Sequence, residues 1–222
     1  MQPSSRMDLL GALLPAACCG CGRYGAILCN KCLRSLRPPG HASNRFQAPD
    51  PGIVVGEALE VGMAAFAYEG PLRRALAGLK YGGAARVAKP LAERAERHLA
   101  SLRAMAPEAA LVPVPVHAAR RHERGYNQAE LLARALARRV GLSVADTLER
   151  ARSTTEQHRL DRAARLRNLR DAFALRPGAR PPAVAILVDD ILTTSATLEA
   201  CAGVLRAAGS NRVLGFALAR EV

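Results

Sequence analysis

Apolar and polar residues follow two different periods along the chain, and the change of period predicts strands separated by helices. Short apolar runs, typical of strands, occur at 61–68, 110–114, 145–148, 184–188 and 212–218. Stretches with apolar residues on one repeating face, typical of helices, occur at 71–79, 84–105, 128–140 and 197–208. Strands that alternate with helices predict an α/β fold with a mostly parallel sheet and flanking helices.

Between residues 37 and 56 neither period is visible, and proline, glycine and polar residues predominate. Such a composition indicates a linker or an irregular extension. We therefore predict a small N-terminal module at 1–40, a linker at 41–58 and the α/β domain at 59–222. Inside that domain we expect a basic loop before the helix at 128–140 and an arginine-rich polar segment that ends at Arg170.

The most informative run begins with the apolar residues 184–188 and continues into Asp189 and Asp190. An unbroken apolar run suits a central parallel strand, and open α/β sheets bind ligands at the carboxyl ends of such strands. The following turn is small and rich in hydroxyls, so its backbone N–H groups and the next helix could surround a phosphate; it comprises Thr193, Thr194, Ser195, Ala196 and Thr197. We predict a phosphosugar site in which the two aspartates hold sugar hydroxyls. The alternative is an ordinary strand that ends in a solvated turn.

The charge of the chain favours partners that carry phosphate. The 222 residues have a formal net charge of +13, and arginine supplies almost all of the positive charge, since lysine occurs only at Lys31, Lys80 and Lys89. Half of the residues are hydrophobic, which is sufficient to bury a core. Solvated helix faces are an alternative explanation for many of the arginines.

The sequence does not predict membrane insertion, because no apolar stretch approaches the roughly 20 residues that span a bilayer. The start of the chain at 7–18 superficially resembles a short lipoprotein signal, but Asp8 and Pro15 interrupt it. We therefore expect a cytoplasmic location.

Cysteines are concentrated near the start of the chain. Cys18 and Cys21 form one Cys-x-x-Cys pair, and Cys29 and Cys32 form a second. Four thiolates on two tight turns are typical ligands of structural zinc, and disulfides are not expected in a reducing compartment. Cys19 is an alternative to Cys18 as the first ligand.

The strand, the acid pair and the turn together resemble the ribose-phosphate binding loop of type I phosphoribosyltransferases, whose usual turn is Thr-Thr-Gly-x-Thr. The resemblance implies that the chain recognises phosphoribosyl pyrophosphate with Mg²⁺. Ser195 stands where that family usually has glycine. Because glycine admits a left-handed backbone and leaves room for phosphate, we expect serine to narrow or reshape the cradle.

Further motifs resemble the ComF family of competence-associated proteins. They are Pro-Val-Pro-x-His ending at His117, Arg-Gly-Tyr-Asn-Gln from Arg124, Leu-Lys-Tyr-Gly-Gly around Lys80, and a block from Thr155 to Phe173. The resemblance implies a zinc-ribbon module followed by a type I phosphoribosyltransferase domain, with a role in handling incoming single-stranded DNA or in nucleotide salvage. It also implies that the loop after the strand at 110–114 holds pyrophosphate, and the candidate ligands are Lys80, His117, Arg120, Arg121 and Arg124.

Two functions follow from these features. The first is transfer at C1 of phosphoribosyl pyrophosphate, in which Asp189 and Asp190 favour the positive charge that develops on the ribose ring. The second is non-catalytic binding of single-stranded DNA or of a helicase in the transformation machinery, which Ser195 and the arginine content favour. Aromatic residues make up 4% of the chain, which weighs against extensive base stacking.

Overall fold

The computed structural model describes residues 16–40, 53–81, 84–150 and 172–221. The strands in these ranges are β1 (Ile53–Val54), β2 (Val61–Ala67), β3 (Ala110–Pro113), β4 (Ser143–Val144), β5 (Leu148–Arg150), β6 (Phe173–Leu175), β7 (Val184–Leu192) and β8 (Arg212–Arg220). The α-helices are α1 (Asn30–Arg34), α2 (Gly70–Tyr81), α3 (Ala88–Met105), α4 (Ala118–Arg124), α5 (Gln128–Val140) and α6 (Ala196–Ala207). A single 3₁₀ turn, Ala85–Val87, precedes α3 in the described part of the chain.

Within the described ranges, six strands form one sheet in the order β1-β2-β8-β7-β3-β4. Strand β1 is antiparallel to β2, and the other neighbours in this sheet pair in parallel. Strands β7 and β8 are central, and helices cover both faces, so these strands are unbroken apolar runs in the sequence. The prediction of an α/β fold with a mostly parallel sheet and flanking helices is confirmed, and the architecture is consistent with a phosphoribosyltransferase-like fold.

Two hydrophobic clusters separate the faces of the sheet. One cluster joins α2, α3, α5 and the cysteine module to one face, where Ile186 and Val188 of β7 point. The other joins α6 and the β5–β6 ribbon to the opposite face, where Ala185 and Leu187 point. Successive residues of β7 therefore alternate between the α2 face and the α6 face.

Two segments differ from the predicted elements. The predicted strand at 145–148 is wrong: β4 ends at Val144, and Leu148 begins β5, which pairs with β6 and not with the large sheet. The predicted basic loop contains α4, which begins after His117. Helix α4 has no buried residue, so its sequence lacked the apolar stripe that marks the other helices.

Strand β7 continues beyond the apolar run that predicted it. Its parallel pairing with β8 includes Asp189 opposite Ala217 and Ile191 opposite Ala219. Both acids thus lie inside the last part of the strand, and the turn begins at Thr193.

Several segments named in the sequence analysis lie outside the described residues. They are the chain start at 1–15, the linker portion at 41–52, Gly82 and Gly83, and the arginine-rich segment at 151–171 with the block that begins at Thr155. Among the helices that the structure does describe, none combines the length and the apolar character needed to cross a membrane.

Candidate functional site

The two Cys-x-x-Cys pairs converge into one cluster. The Sγ atoms of Cys18, Cys21, Cys29 and Cys32 all lie within 4.8 Å of one another. The distance is 3.8 Å between the Sγ atoms of Cys18 and Cys32, and 3.7 Å between those of Cys21 and Cys29. Four cysteine sulfurs at this spacing could hold a metal ion such as zinc, and a tetrahedral four-thiolate site has no open coordination position.

The structure places Cys18, and not Cys19, in this cluster. The Sγ of Cys18 accepts hydrogen bonds from the backbone N–H groups of Gly20 at 3.4 Å and of Cys29 at 3.3 Å. Burial opposes ionisation of Cys18, yet the N–H groups of Cys29 and Gly20 lower its pKa to about 6, which favours the thiolate that a metal binds. The side chain of Cys19 instead lies beside Gly78 of α2, where a Cβ on that glycine would be 3.5 Å from Sγ.

The cysteine module packs directly against the helices of the α/β domain. Cys18 and Cys32 are 3% exposed and belong to the same hydrophobic cluster as α2 and α3. Arg74 of α2 donates from Nε to the carbonyl of Gly20 at 2.6 Å, and Arg94 of α3 donates to the carbonyl of Leu33 at 3.1 Å. A Cβ on Gly20 would lie 2.8 Å from the Sγ of Cys32, so this position requires glycine.

The adjacent acids of β7 point to opposite faces of the sheet. Asp190 points to the α2 face, where its Oδ2 lies 2.7 Å from the Nζ of Lys80. Both side chains of this ion pair are largely buried, with 6% of Asp190 and 20% of Lys80 exposed. Asp189 points to the α6 face, and its Oδ1 accepts the backbone N–H of Asp190 at 2.8 Å. The two carboxylates therefore have different surroundings.

Asp189 lies in surroundings that disfavour its charge. Burial raises the pKa of Asp189 well above the usual range of a carboxyl, and the negative charge of Asp190 raises it further. The thiol of Cys201 on α6 is buried, which raises its pKa, and the charge of Asp189 adds to that effect. Burial also lowers the pKa of Arg150, as does the charge of Arg120, whereas Asp189 opposes the shift. Asp189 lies on the same face of β7 as Ala185 and Leu187, which pack in one cluster with α6 and the β5–β6 ribbon.

The hydroxyl-rich turn leads directly into α6. Thr193 and Thr194 are exposed, Ser195 is the N-cap residue, and Ala196 and Thr197 occupy the first turn of the helix. Ser195 has a φ of −68°, so its backbone is right-handed and does not require glycine. No side chain from the described ranges caps α6 at this residue. The N–H groups of its first turn can therefore face an anion.

The predicted pyrophosphate ligands lie on or near α4, and most have a protein partner. His117 caps α4, because its Nδ1 accepts the backbone N–H of Ala119 at 3.2 Å. Arg121 pairs with Glu130 at 3.2 Å, Arg124 donates to Gln128 at 3.1 Å, and Arg120 is exposed. Of the predicted basic ligands, the structure brings Lys80 into contact with the acid pair.

The Arg-Gly-Tyr-Asn-Gln motif connects the ends of three elements. The Tyr126 hydroxyl donates to the carbonyl of Leu79, next to Lys80, at 2.7 Å. The Asn127 side chain donates to the carbonyl of Val114 at 3.0 Å and accepts the N–H of Ala129, which caps α5. The motif thus fixes the end of α2 and the end of β3 relative to α5.

We expect Tyr126→Phe to lower the free energy of unfolding by about 1 kcal/mol, because the Leu79 carbonyl at the end of α2 loses its side-chain donor. Urea unfolding of both proteins measures the difference. Tyr24→Phe is the matched control, since Tyr24 is 73% exposed. Equal stability of native protein and Tyr126→Phe would contradict this role for the hydroxyl.

A cavity of about 250 Å³ lies between the β3–α4 loop and the β5–β6 ribbon. We call it the ribbon cavity, and its lining residues are Pro115, Val116, Ala118, Arg121, Asn127, Glu149, Arg150 and Arg176. Sequence reasoning missed Glu149, Arg150 and Arg176. The antiparallel pairing of β5 with β6 brings them together across a long separation in sequence, and no local motif marks that pairing. The available signal was the charged pair Glu149 and Arg150 directly after the apolar run that ends at Leu148.

The mostly parallel six-stranded sheet and its flanking helices identify an α/β protein whose fold is consistent with the phosphoribosyltransferase-like type. The chain matches no protein-family model. It is 35% identical over 114 residues to Competence protein F of Haemophilus influenzae, a match that covers 50% of each chain. It is 34% identical over 113 residues to DNA utilization protein YhgH of Salmonella typhi, and 33% identical over 113 residues to the protein of that name from Escherichia coli K12; both matches cover 50% of this chain and 49% of the relative.

The chain therefore spans about half the length of the curated relatives it matches. These homologues and the cysteine cluster confirm the resemblance to the ComF family that the sequence motifs predicted.

Proposed function

We propose that the chain binds phosphoribosyl pyrophosphate or a related phosphosugar, with Mg²⁺ bound to the ligand, and transfers its phosphoribosyl group. The observation that supports this proposal best is the open N-terminus of α6 immediately after the acid pair of β7. Helix N-termini bind phosphate through free N–H groups and the helix dipole. A carboxylate beside such a terminus suits a ligand that has both hydroxyls and a phosphate.

Each part of the ligand has a candidate partner. Asp189 would hold the ribose hydroxyls, and the turn from Thr193 to Thr197 would hold the 5′-phosphate. Asp190 would keep Lys80 at the same edge of the sheet through their 2.7 Å ion pair. The pyrophosphate would take Arg120, Arg121 and Arg124, and the exposed Arg121–Glu130 pair is weak enough to exchange.

The transfer requires charge stabilisation more than covalent chemistry by the protein. The bond from ribose C1 to the pyrophosphate oxygen breaks, the oxygen keeps the electron pair, and the acceptor forms the new bond to C1. Positive charge develops on the ring, where Asp189 would favour it, and negative charge develops on the leaving group, where guanidinium groups would favour it. When bound, Mg²⁺ would neutralise part of the pyrophosphate charge through its preference for oxygen ligands.

Isothermal titration with phosphoribosyl pyrophosphate and Mg²⁺ tests the proposal. We expect the native chain to bind and Asp189→Asn to bind at least tenfold more weakly, because the amide replaces one carboxyl oxygen with an NH₂ group that cannot accept a hydrogen bond, a change of about 1.4 kcal/mol or more. Glu60→Gln is the matched control, since Glu60 pairs with Arg212 at the amino end of β8. Equal binding by the native chain and Asp189→Asn, or no binding by either, would reject the proposal.

We also propose that the metal of the cysteine cluster is zinc and that it is structural, because four thiolates leave no coordination position for a substrate. The names of the relatives, Competence protein F and DNA utilization protein, support a role in DNA uptake or in the use of DNA-derived nucleotides.

The alternative function is non-catalytic binding of single-stranded DNA, with or without a helicase partner. The net charge of +13 and the names of the relatives favour it. Phosphate contacts release counterions, so affinity for an oligonucleotide should fall steeply as salt rises. Fluorescence anisotropy with a labelled oligonucleotide measures this dependence. If the affinity for the oligonucleotide is weak at low salt and does not change as salt rises, the alternative is excluded.

A further inference from the structure

We propose that the ribbon cavity binds a small planar acid with a ring N–H group. The cavity is about 250 Å³, below the roughly 300–1,000 Å³ of sites for drug-sized ligands, so a single ring with one substituent matches its size. Three features of its lining select the ligand: clustered guanidinium groups, one carboxylate and an apolar wall.

The guanidinium groups of the cavity favour a ligand that carries an anionic substituent. Arg121, Arg150 and Arg176 line the cavity, and Glu149 is the acid among its lining residues. Arg176 uses Nη2 to pair with Asp146 at 3.2 Å, but its Nε is buried and has no hydrogen-bond partner among the residues that the structure describes. A buried donor without a partner costs about 1–3 kcal/mol, and a bound acid would remove that cost.

The remaining lining distinguishes a ring from a polyphosphate. Glu149 would repel the several negative charges of pyrophosphate, whereas it would accept a hydrogen bond from a ring N–H. Pro115 and Val116 form an apolar wall against which a flat ring can pack, and a phosphate gains nothing from such a wall. The guanidinium of Arg150 lies 5.4 Å from the centre of the Phe173 ring, a cation–π contact between the two strands of the ribbon.

The cavity lies next to the proposed phosphosugar site. The β5–β6 ribbon on one side of the cavity packs in the same hydrophobic cluster as α6, whose N-terminus follows the acid pair. If phosphoribosyl transfer is the function, the bound acid is the acceptor, and that assignment rests on the proposed function. The binding of the acid itself does not rest on it.

Isothermal titration of the full chain with pyrrole-2-carboxylate and with pyrrole-2-carboxamide tests the proposal without phosphoribosyl pyrophosphate. The two probes share a planar ring with an N–H and differ in the acid. We expect the carboxylate to bind about tenfold or more tightly than the amide, because charge-assisted hydrogen bonds are roughly twice as strong as neutral ones. Arg176→Gln should remove most of that preference, and Arg97→Gln, an exposed arginine of α3, should leave it unchanged.

A second variant should change the affinities for two ligands in opposite directions. Glu149→Gln should weaken pyrrole-2-carboxylate binding several-fold and strengthen pyrophosphate binding, because the repulsive charge is removed. Equal affinity of the native chain for carboxylate and amide, or no binding of the carboxylate, would overturn the proposal. The titrations with phosphoribosyl pyrophosphate and Asp189→Asn report on the proposed function separately, so either proposal can fail alone.

Discussion

We expect Asp190→Asn to lower the free energy of unfolding by about 2 kcal/mol, because the substitution leaves the Lys80 ammonium without its carboxylate. Breaking a fully buried ion pair costs about 3–5 kcal/mol, and the 20% exposure of Lys80 allows partial hydration that reduces this cost. Urea unfolding at neutral pH measures the change. If the free energy of unfolding decreased by less than about 0.5 kcal/mol, the pair would contribute no more than a weak surface ion pair.

The neighbouring substitution, Asp189→Asn, is the matched comparison and should have the opposite sign. Because the pKa of Asp189 is raised in the folded state, the folded chain keeps the proton at pH values where the unfolded chain has lost it. The unfolding free energy of the native chain therefore falls as pH rises from about 4, the ordinary pKa of aspartate, up to the raised pKa. An asparagine has no proton to lose and avoids this decrease.

We expect Asp189→Asn to match the native chain near pH 4 and to be more stable than the native chain at pH 7, because the native carboxyl has a raised pKa in the folded state. Unfolding curves across this pH range test the sign. A variant less stable than the native chain at pH 7 would show that the Asp189 carboxylate is stabilised in the folded protein.

Loss of a cysteine ligand is the second substitution for which we expect a large effect on stability. Cys32→Ser should abolish tight binding of zinc and lower the free energy of unfolding by about 3 kcal/mol or more, because metal binding in such sites is coupled to folding. Cys32 also belongs to the hydrophobic cluster shared with α2, so the loss extends beyond the module. Metal content after dialysis and thermal unfolding with and without a chelator provide the measurements.

Cys19→Ser is the matched control, because the Cys19 side chain faces Gly78 and lies outside the four-cysteine cluster. It should retain the metal and respond to a chelator as the native chain does. If Cys19→Ser lost the metal and Cys32→Ser retained it, the assignment of the cluster would be wrong.

The sequence predicted the layered architecture because periodicity reports burial. Strand β7 and helix α5 have strong patterns, and the predicted helix at 128–140 agrees with Gln128–Val140. Helix α4 and the β5–β6 ribbon were missed for two reasons. Helix α4 buries no residue, and the ribbon depends on pairing across a long sequence separation that no local pattern encodes.

At the site, residue identity was predictable and orientation was not. Four cysteines at Cys-x-x-Cys spacing predicted the cluster, but the choice between Cys18 and Cys19 depends on which side chain faces α2. Similarly, the sequence predicted a joint role for Asp189 and Asp190, and the extension of β7 through both residues places their side chains on different faces. The roles of these residues in ligand binding stay predictions.

Helix α2 contacts the cysteine module from Pro71 to Gly78 and carries Lys80 near its carboxyl end. This helix of 12 residues is about 18 Å long, at 1.5 Å per residue, and links the module to the Lys80–Asp190 ion pair. Any tilt of that helix when the metal leaves would displace the ammonium from Asp190. Loss of a metal from the cysteine cluster would then weaken the ion pair at the carboxyl edge of the sheet.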